Sequence, residues 1–212
     1  MENVLKVVKT YLLYITSAFG ASLAIKANVG VSSFNSMNVA ISNAAEVKIG
    51  TITIVINLLF LLIYMKLTAM KKKKTYIIQF LTIVMFGAVI NMFTYNLLAA
   101  LNTTDYGVRL ALISIGTIIS GLSIGLIVHY DVITLPVEGC CLELSKVSTY
   151  SFSRYRYFVD LFSVVISMLI SISFRLPLFV REGTIISMLL LTASMTLIQS
   201  RVKQKPKTLK TI

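Results

Sequence analysis

The chain has 212 residues, of which 57% are hydrophobic and only 13% are charged. Its mean hydropathy of +0.86 excludes an ordinary soluble domain, and the apolar segments leave no room for a separate soluble domain beside them. The formal net charge of +12 falls in short loops and in a basic tail over 201–212, which argues against nucleic acid and for anionic membrane lipid as a partner.

Apolar stretches long enough to cross about 30 Å of hydrocarbon, which takes roughly 17–25 helical residues, recur along the whole chain. We predict one all-α membrane domain over 1–212 with about six transmembrane helices. The predicted spans are residues 10–27, 50–67, 76–99, 109–128, 157–174 and 183–200.

Two short segments between these spans, 31–46 and 133–147, carry many polar groups that are costly to expose to lipid. If both re-enter the membrane without crossing it, 15 of the 20 lysines and arginines lie on the side of the N-terminus, as expected for a cytoplasmic face. If both cross, the Lys71–Lys74 cluster moves to the opposite side. The count therefore favours six spans, two re-entrant or broken helices, and cytoplasmic N- and C-termini.

The chain also contains a weak internal repeat, with one copy over about 8–100 and a second over about 107–200. A shift of 101 residues pairs identical residues without a gap, namely Gly20 with Gly121, Ser22 with Ser123 and Val31 with Val132. After a two-residue insertion, Asn57 pairs with Asp160. Three spans per copy is an odd number, so the second copy enters the membrane from the opposite side, as in many secondary transporters. The alternative is a duplicated scaffold without transport.

Two motifs carry a resemblance that extends over nearly the whole chain. Gly30-Val31-Ser32-Ser33 follows the first span, and Arg181-Glu182-Gly183-Thr184 opens the last. Both resemble the YitT/YczE group of uncharacterised bacterial membrane proteins, although that group more often has proline and tryptophan at the positions of Ser33 and Phe34. The resemblance implies a multi-pass permease of the bacterial inner membrane.

The first polar segment offers four predicted substrate-binding residues. Ser32 and Ser33 stand where a short helix begins, so their hydroxyls can cap it while its free N–H groups favour an anionic group. The structural alternative is capping alone. Asn35 and Asn38 are three residues apart on one helical face and are predicted to line a polar cavity.

The second polar segment contains two carboxylates after the break at Pro136. An intramembrane carboxylate is expensive, so Glu138 is predicted to bind substrate and to couple a proton or cation. The alternative is a structural partner for an arginine or for helix N–H groups. Glu143 lies nearer the cytoplasmic side and is predicted to be solvated or paired.

Four other residues complete the predicted set. Asp160 is a possible coupling group, but its spacing from Arg156 also predicts a pair facing the cytoplasmic interface. His129 is predicted either as a proton relay or as a hydrogen-bonded interface residue. At the last span, Glu182 complements the helix N-terminus and Arg181 meets an anion or a lipid headgroup.

We find no metal-ligand spacing, phosphate loop or nucleophile motif, and predict no cofactor, no metal and no enzyme activity. A permease for an unknown small molecule is the first hypothesis. The alternatives are a binding subunit that needs an ATP-hydrolysing partner, docking through small residues of the first span, and an accessory protein of another membrane complex. Homo-oligomerisation remains open.

Overall fold

The computed structural model describes residues 2–130 and 133–203, and within these ranges the chain is helical without any strand. This confirms the all-α prediction. The helices are α1 Glu2–Lys26, α2 Ser33–Ala44, α3 Ile49–Leu67, α4 Lys73–Met92 with a π-helical extension Phe93–Leu97, α5 Tyr106–Tyr130, α6 Pro136–Val147, α7 Phe152–Ser173 and α8 Glu182–Lys203. Residues 204–212 of the predicted tail lie outside the described part.

Five helices are long and apolar enough to cross a membrane, so the chain has the architecture of a multi-pass helical membrane protein. These segments are Leu5–Lys26, Ile49–Leu67, Lys73–Leu97, Tyr106–Tyr130 and Phe152–Ser173, and each contains a predicted span or most of one. The sixth predicted span falls on α8, where Glu182–Ile198 is a shorter apolar helix.

Helices α2 and α6 have 12 residues each and occupy the two predicted polar segments. At 1.5 Å per residue such a helix is about 18 Å long, well short of the hydrocarbon thickness. Both are packed among the long helices: α2 lies against α7 and α3, and α6 lies against α3 and α7.

Close backbone approaches at glycines hold the long helices together. Helix α1 packs along α5 where Gly20 meets Gly116, since a Cβ added to either residue would lie 2.5 Å from the other's carbonyl oxygen. Gly50 and Gly87 bring α3 and α4 together in the same way. Helix α8 packs on α5, and α4 packs on α1.

The break before α2 is fixed by main-chain hydrogen bonds to the segment that leads into α8. Val31 donates its N–H to the Phe179 carbonyl at 3.2 Å, and Gly183 donates to the Val29 carbonyl at 3.0 Å. Gly30 adopts a positive φ of 104° at this point. The two motifs around Gly30 and Gly183 are therefore in direct contact, although about 150 residues separate them in sequence.

The break before α6 is fixed by side chains instead. The Tyr14 hydroxyl of α1 donates to the Ile133 carbonyl at 2.9 Å. The Gln79 amide of α4 donates to the Thr134 carbonyl at 2.8 Å. These donors satisfy main-chain oxygens that the interrupted helix leaves unpaired.

Candidate functional site

A buried cavity of about 60 Å³ lies where the two short helices approach the centre of the bundle. All eight helices or the segments that lead into them contribute to its wall. Much of the wall is apolar, and its polar side chains include Ser32, Asn35, Thr53, Asn57, Glu138 and Arg156. A volume of this size admits a few water molecules or a solute of a few heavy atoms.

Glu138 reaches the cavity because α6 begins at Pro136, which places the glutamate in the first helical turn. Glu138 is only 5% exposed, and its Oε2 atom has no hydrogen-bond partner among the described residues. The position beside a helix N-terminus favours a negative charge by about 0.3–1 kcal/mol, and up to about 2 kcal/mol when partly buried.

Arg156 of α7 faces the same cavity and forms an ion pair with Asp160 one turn further on, with 3.5 Å between Nη1 and Oδ1. The guanidinium carbon lies 5.7 Å from the centre of the Phe34 ring. Both side chains are almost fully buried, at 4% and 0% exposure. The predicted i,i+4 pair is thus confirmed, and it is buried because α2 packs on α7; its place at the cytoplasmic interface stays a prediction.

The charges of this group do not cancel. One guanidinium stands against two carboxylates, so Glu138, Arg156 and Asp160 carry a surplus of one negative charge when all are ionised. Taking an ion out of water costs several kcal/mol of free energy. This cost is about twice the stabilisation that the α6 dipole gives to a negative charge, or more. The surplus charge is therefore a local destabilisation that an additional positive charge would relieve.

Neutral polar residues of α3 form the opposite wall. Asn57 is 2% exposed and donates through Nδ2 to the Thr53 carbonyl at 2.8 Å, while its Oδ1 has no partner in the described part of the chain. Asn38 of α2 donates to the Thr53 hydroxyl at 3.2 Å. In the predicted repeat alignment Asn57 corresponds to Asp160.

The structure brings together most of the residues predicted in the two short segments. Ser32, Asn35 and Glu138 line the cavity, whereas Ser33 and Asn38 are fully buried and absent from its lining. Ser32 is the N-cap residue of α2, but its side chain makes no cap hydrogen bond, so the predicted capping by its hydroxyl is wrong. The hydroxyl faces the cavity instead.

Asp160 is also absent from the cavity lining, and three further predicted residues lie away from it. Arg181 and Glu182 are 45% and 59% exposed, with Nε and Oε2 3.6 Å apart, beside the contact that fixes Gly30. His129 is exposed near the end of α5, with its ring 5.6 Å from that of Tyr130. The substrate and relay roles predicted for these residues stay predictions.

Sequence reasoning missed Arg156 and Asn57 as parts of the site. Arg156 was counted among the loop charges because it stands close to the start of a span, and only the packing of α2 shows that it is buried. Asn57 was noted for its match to Asp160. Its position as an isolated amide within an apolar run was the available signal.

A second charged group lies outside the cavity, at the end of α6. Glu143 Oε1 accepts hydrogen bonds from Lys72 at 2.8 Å and from Lys146 at 3.3 Å. The hydrogen bond from Lys72 lowers the pKa of Glu143, and the same bond raises the pKa of Lys72. Glu143 is therefore paired, as predicted, and it ties α6 to the α3–α4 loop.

Comparison with known proteins gives a family but no assigned activity. A family model described as a family of unknown function, DUF6198, matches residues 5–200. No curated protein and no solved structure matches the chain. The resemblance to the YitT/YczE group stays a prediction from the two motifs.

Proposed function

The chain belongs to the DUF6198 family, and from that premise we propose that it is a small secondary-transporter-like permease whose central cavity is the substrate site. The observation that carries this proposal is the pair of buried, oppositely charged side chains, Glu138 and Arg156, with unpartnered polar atoms at one small cavity. Such groups are expensive in a membrane interior and are expected where a solute or ion passes.

The packing supports an inverted repeat of α1–α4 and α5–α8. Helix α2 packs on α7 while α6 packs on α3, which is the exchange expected when a two-fold axis relates the halves. The first helix of each half packs on its counterpart, and the last helix of each half packs on the first. Two such halves around one site can alternate between inward and outward conformations.

The charges support an orientation for this fold. With α8 as the sixth span and with α2 and α6 re-entrant, most loop lysines and arginines fall on one face, which we assign to the cytoplasm of a bacterial cell. Both termini then lie inside. Anionic lipid at this face is the partner that the basic loops favour.

Flux in proteoliposomes tests the proposal. Purified protein is reconstituted and supplied with labelled methylammonium, glycine and acetate, which differ in charge but are all small enough for the cavity. We expect one of them to equilibrate faster than in protein-free vesicles. The same solute should move at least several-fold more slowly through Asn35→Leu, because Asn35 lines the cavity.

Asn43→Leu provides the matched control, since Asn43 lies on the same helix, is exposed, and donates only to the Val39 carbonyl. Flux through this variant should equal that of the wild type. If every solute moves equally through wild type, Asn35→Leu and empty vesicles, the permease proposal fails. High-affinity binding without flux would instead favour a subunit that needs an energising partner.

A further inference from the structure

We infer that the cavity binds one small monovalent cation, a proton or a protonated primary amine, at the carboxylate of Glu138. The inference deepens the proposed function by naming the class of substrate or coupling ion, and it rests on that function for the movement of the cation. The binding itself follows from charge, burial and acceptor geometry around Glu138.

Five titratable groups of the described residues interact with Glu138. These groups are Tyr14 on α1, Cys140 and Cys141 on α6, and Arg156 and Asp160 on α7. Tyr14 donates its hydroxyl hydrogen to the Ile133 carbonyl and is neutral, and buried thiols are neutral as well. Helix α3 contributes the uncharged Thr53 and Asn57. Among residues 2–130 and 133–203, the net charge of this group is therefore −1 when Glu138, Arg156 and Asp160 are all ionised.

In the part of the chain that the structure describes, Arg156 is the one lysine or arginine that lines the cavity. Lys72 and Lys146 are the lysines nearest along α6, but both are hydrogen-bonded to Glu143 near the exposed end of that helix. Arg156 forms its ion pair with Asp160, at 3.5 Å. Glu138 is left with an unpartnered Oε2 at the cavity wall.

Two unpartnered acceptors at the wall also suit a donor with a positive charge, while Nε and Nη1 of Arg156 are unpartnered donors at the same wall. Oε2 of Glu138 and Oδ1 of Asn57 are both buried acceptors without a partner in the described residues. An ammonium group carries three N–H donors and no acceptor, so it satisfies both oxygens at once. The cavity volume of about 60 Å³ favours a small molecule.

An anionic ligand fits less well. It could accept hydrogen bonds from the unpartnered Nε and Nη1 of Arg156, but it would raise the surplus from one negative charge to two. A zwitterion such as glycine leaves the surplus unchanged. Only a monovalent cation brings the group to neutrality, and a proton on Glu138 does so without occupying the cavity.

The test measures binding apart from transport, on purified protein in lipid nanodiscs. Thermal unfolding is followed as methylammonium chloride replaces choline chloride at constant ionic strength, and the infrared carbonyl band of a protonated carboxyl group is recorded at neutral pH. A saturable rise in unfolding temperature identifies the amine, since a ligand that binds the folded state stabilises it by mass action. A protonated-carboxyl band without that rise identifies the proton.

Either signal should disappear in Glu138→Gln and persist in Glu143→Gln, a control on the same helix outside the cavity. Asp160→Asn should abolish it too, because Arg156 then balances Glu138, and this variant keeps the test valid if Glu138→Gln does not fold. The inference is overturned if wild type gives neither signal, or if Glu138→Gln retains it. A signal without flux in vesicles would overturn the permease proposal alone, and flux of another solute without either signal would overturn this inference alone.

Discussion

The short helices α2 and α6 each follow a break in the chain, yet the two breaks are held by different chemistry. The break before α2 is held by main-chain hydrogen bonds to the segment before α8, and α2 itself carries only neutral polar groups. The break before α6 is held by the side chains of Tyr14 and Gln79, and α6 brings Glu138 to the cavity.

This difference indicates that α2 serves as a fixed scaffold, whereas α6 carries the charged group of the site. Main-chain bonds between segments far apart in sequence give α2 a fixed base, and its buried serines allow close packing on α7, where Ser167 donates to the Ser36 carbonyl at 2.9 Å. Side-chain donors can rotate, so the α6 break is held by groups that are able to release it. We expect α6 to respond to a ligand and α2 to stay in place.

The largest expected effect comes from removing the positive member of the charged group. Arg156→Met leaves Glu138 and Asp160 buried without a partner, which should lower the free energy of unfolding by about 3–5 kcal/mol at neutral pH. Acidification should restore part of this loss, because protonated carboxyls need no counter-charge. Denaturant titration of the purified protein measures both.

Arg154→Met is the control for this substitution. Arg154 is exposed two residues earlier on α7, with its guanidinium 4.8 Å from the Tyr150 ring centre. Its loss should cost under about 1 kcal/mol. Equal destabilisation by Arg156→Met and Arg154→Met would contradict the claim that Arg156 balances the buried carboxylates.

The fixed break before α2 is tested by a substitution at Gly30. An alanine there must adopt a φ of 104°, and its Cβ would lie 2.8 Å from the Thr184 hydroxyl and 3.1 Å from the Arg181 nitrogen. We expect Gly30→Ala to destabilise the fold by about 2–3 kcal/mol. Gly107→Ala should have little effect in the same thermal unfolding assay, because Gly107 is exposed and an added Cβ would meet only the flexible Asp105 carboxylate, at 3.2 Å.

A smaller effect is expected where a side chain fixes the second break. Tyr14→Phe removes the donor to the Ile133 carbonyl and leaves a buried oxygen unpaired, which should cost about 1–2 kcal/mol. Hydrogen exchange should show faster opening at the start of α6 than at the start of α2. Uniform acceleration at both breaks would contradict the division proposed between them.

The smallest effect concerns the ion pair at the end of α6. Lys72 lowers the pKa of Glu143. The ion pair therefore stabilises the fold at pH values above the ordinary pKa of a glutamate, and this stabilisation is lost as the pH falls through the lowered pKa. An exposed pair is worth about 0–1 kcal/mol. Glu143→Gln should therefore lower stability slightly at neutral pH and match the wild type in acid. A difference that persists in acid would assign Glu143 another role.

Much of the helical architecture could be predicted because apolar run lengths determine it. The span predicted at 50–67 is Ile49–Leu67, and that at 109–128 lies within Tyr106–Tyr130. The two polar segments were recognised from the cost of exposing their groups to lipid. Both are short helices at the predicted places.

The site itself was only partly predictable, since burial of a charge depends on which helix covers it. Arg156 has the sequence context of a loop cation, and its burial results from α2 lying on α7. Arg181 and Glu182 have the context of a binding motif, but the structure places them beside Gly30 on the outside of the first break. Neither outcome follows from local spacing.

The most direct test of the account compares solute uptake by Glu138→Gln and Glu143→Gln in the same vesicles, since the two substitutions make the same chemical change five residues apart on α6. The account predicts that Glu143→Gln transports at the wild-type rate and that Glu138→Gln loses at least nine-tenths of it, about 1.4 kcal/mol or more in barrier height. Equal rates through the two variants would contradict the assignment of the cavity as the working site.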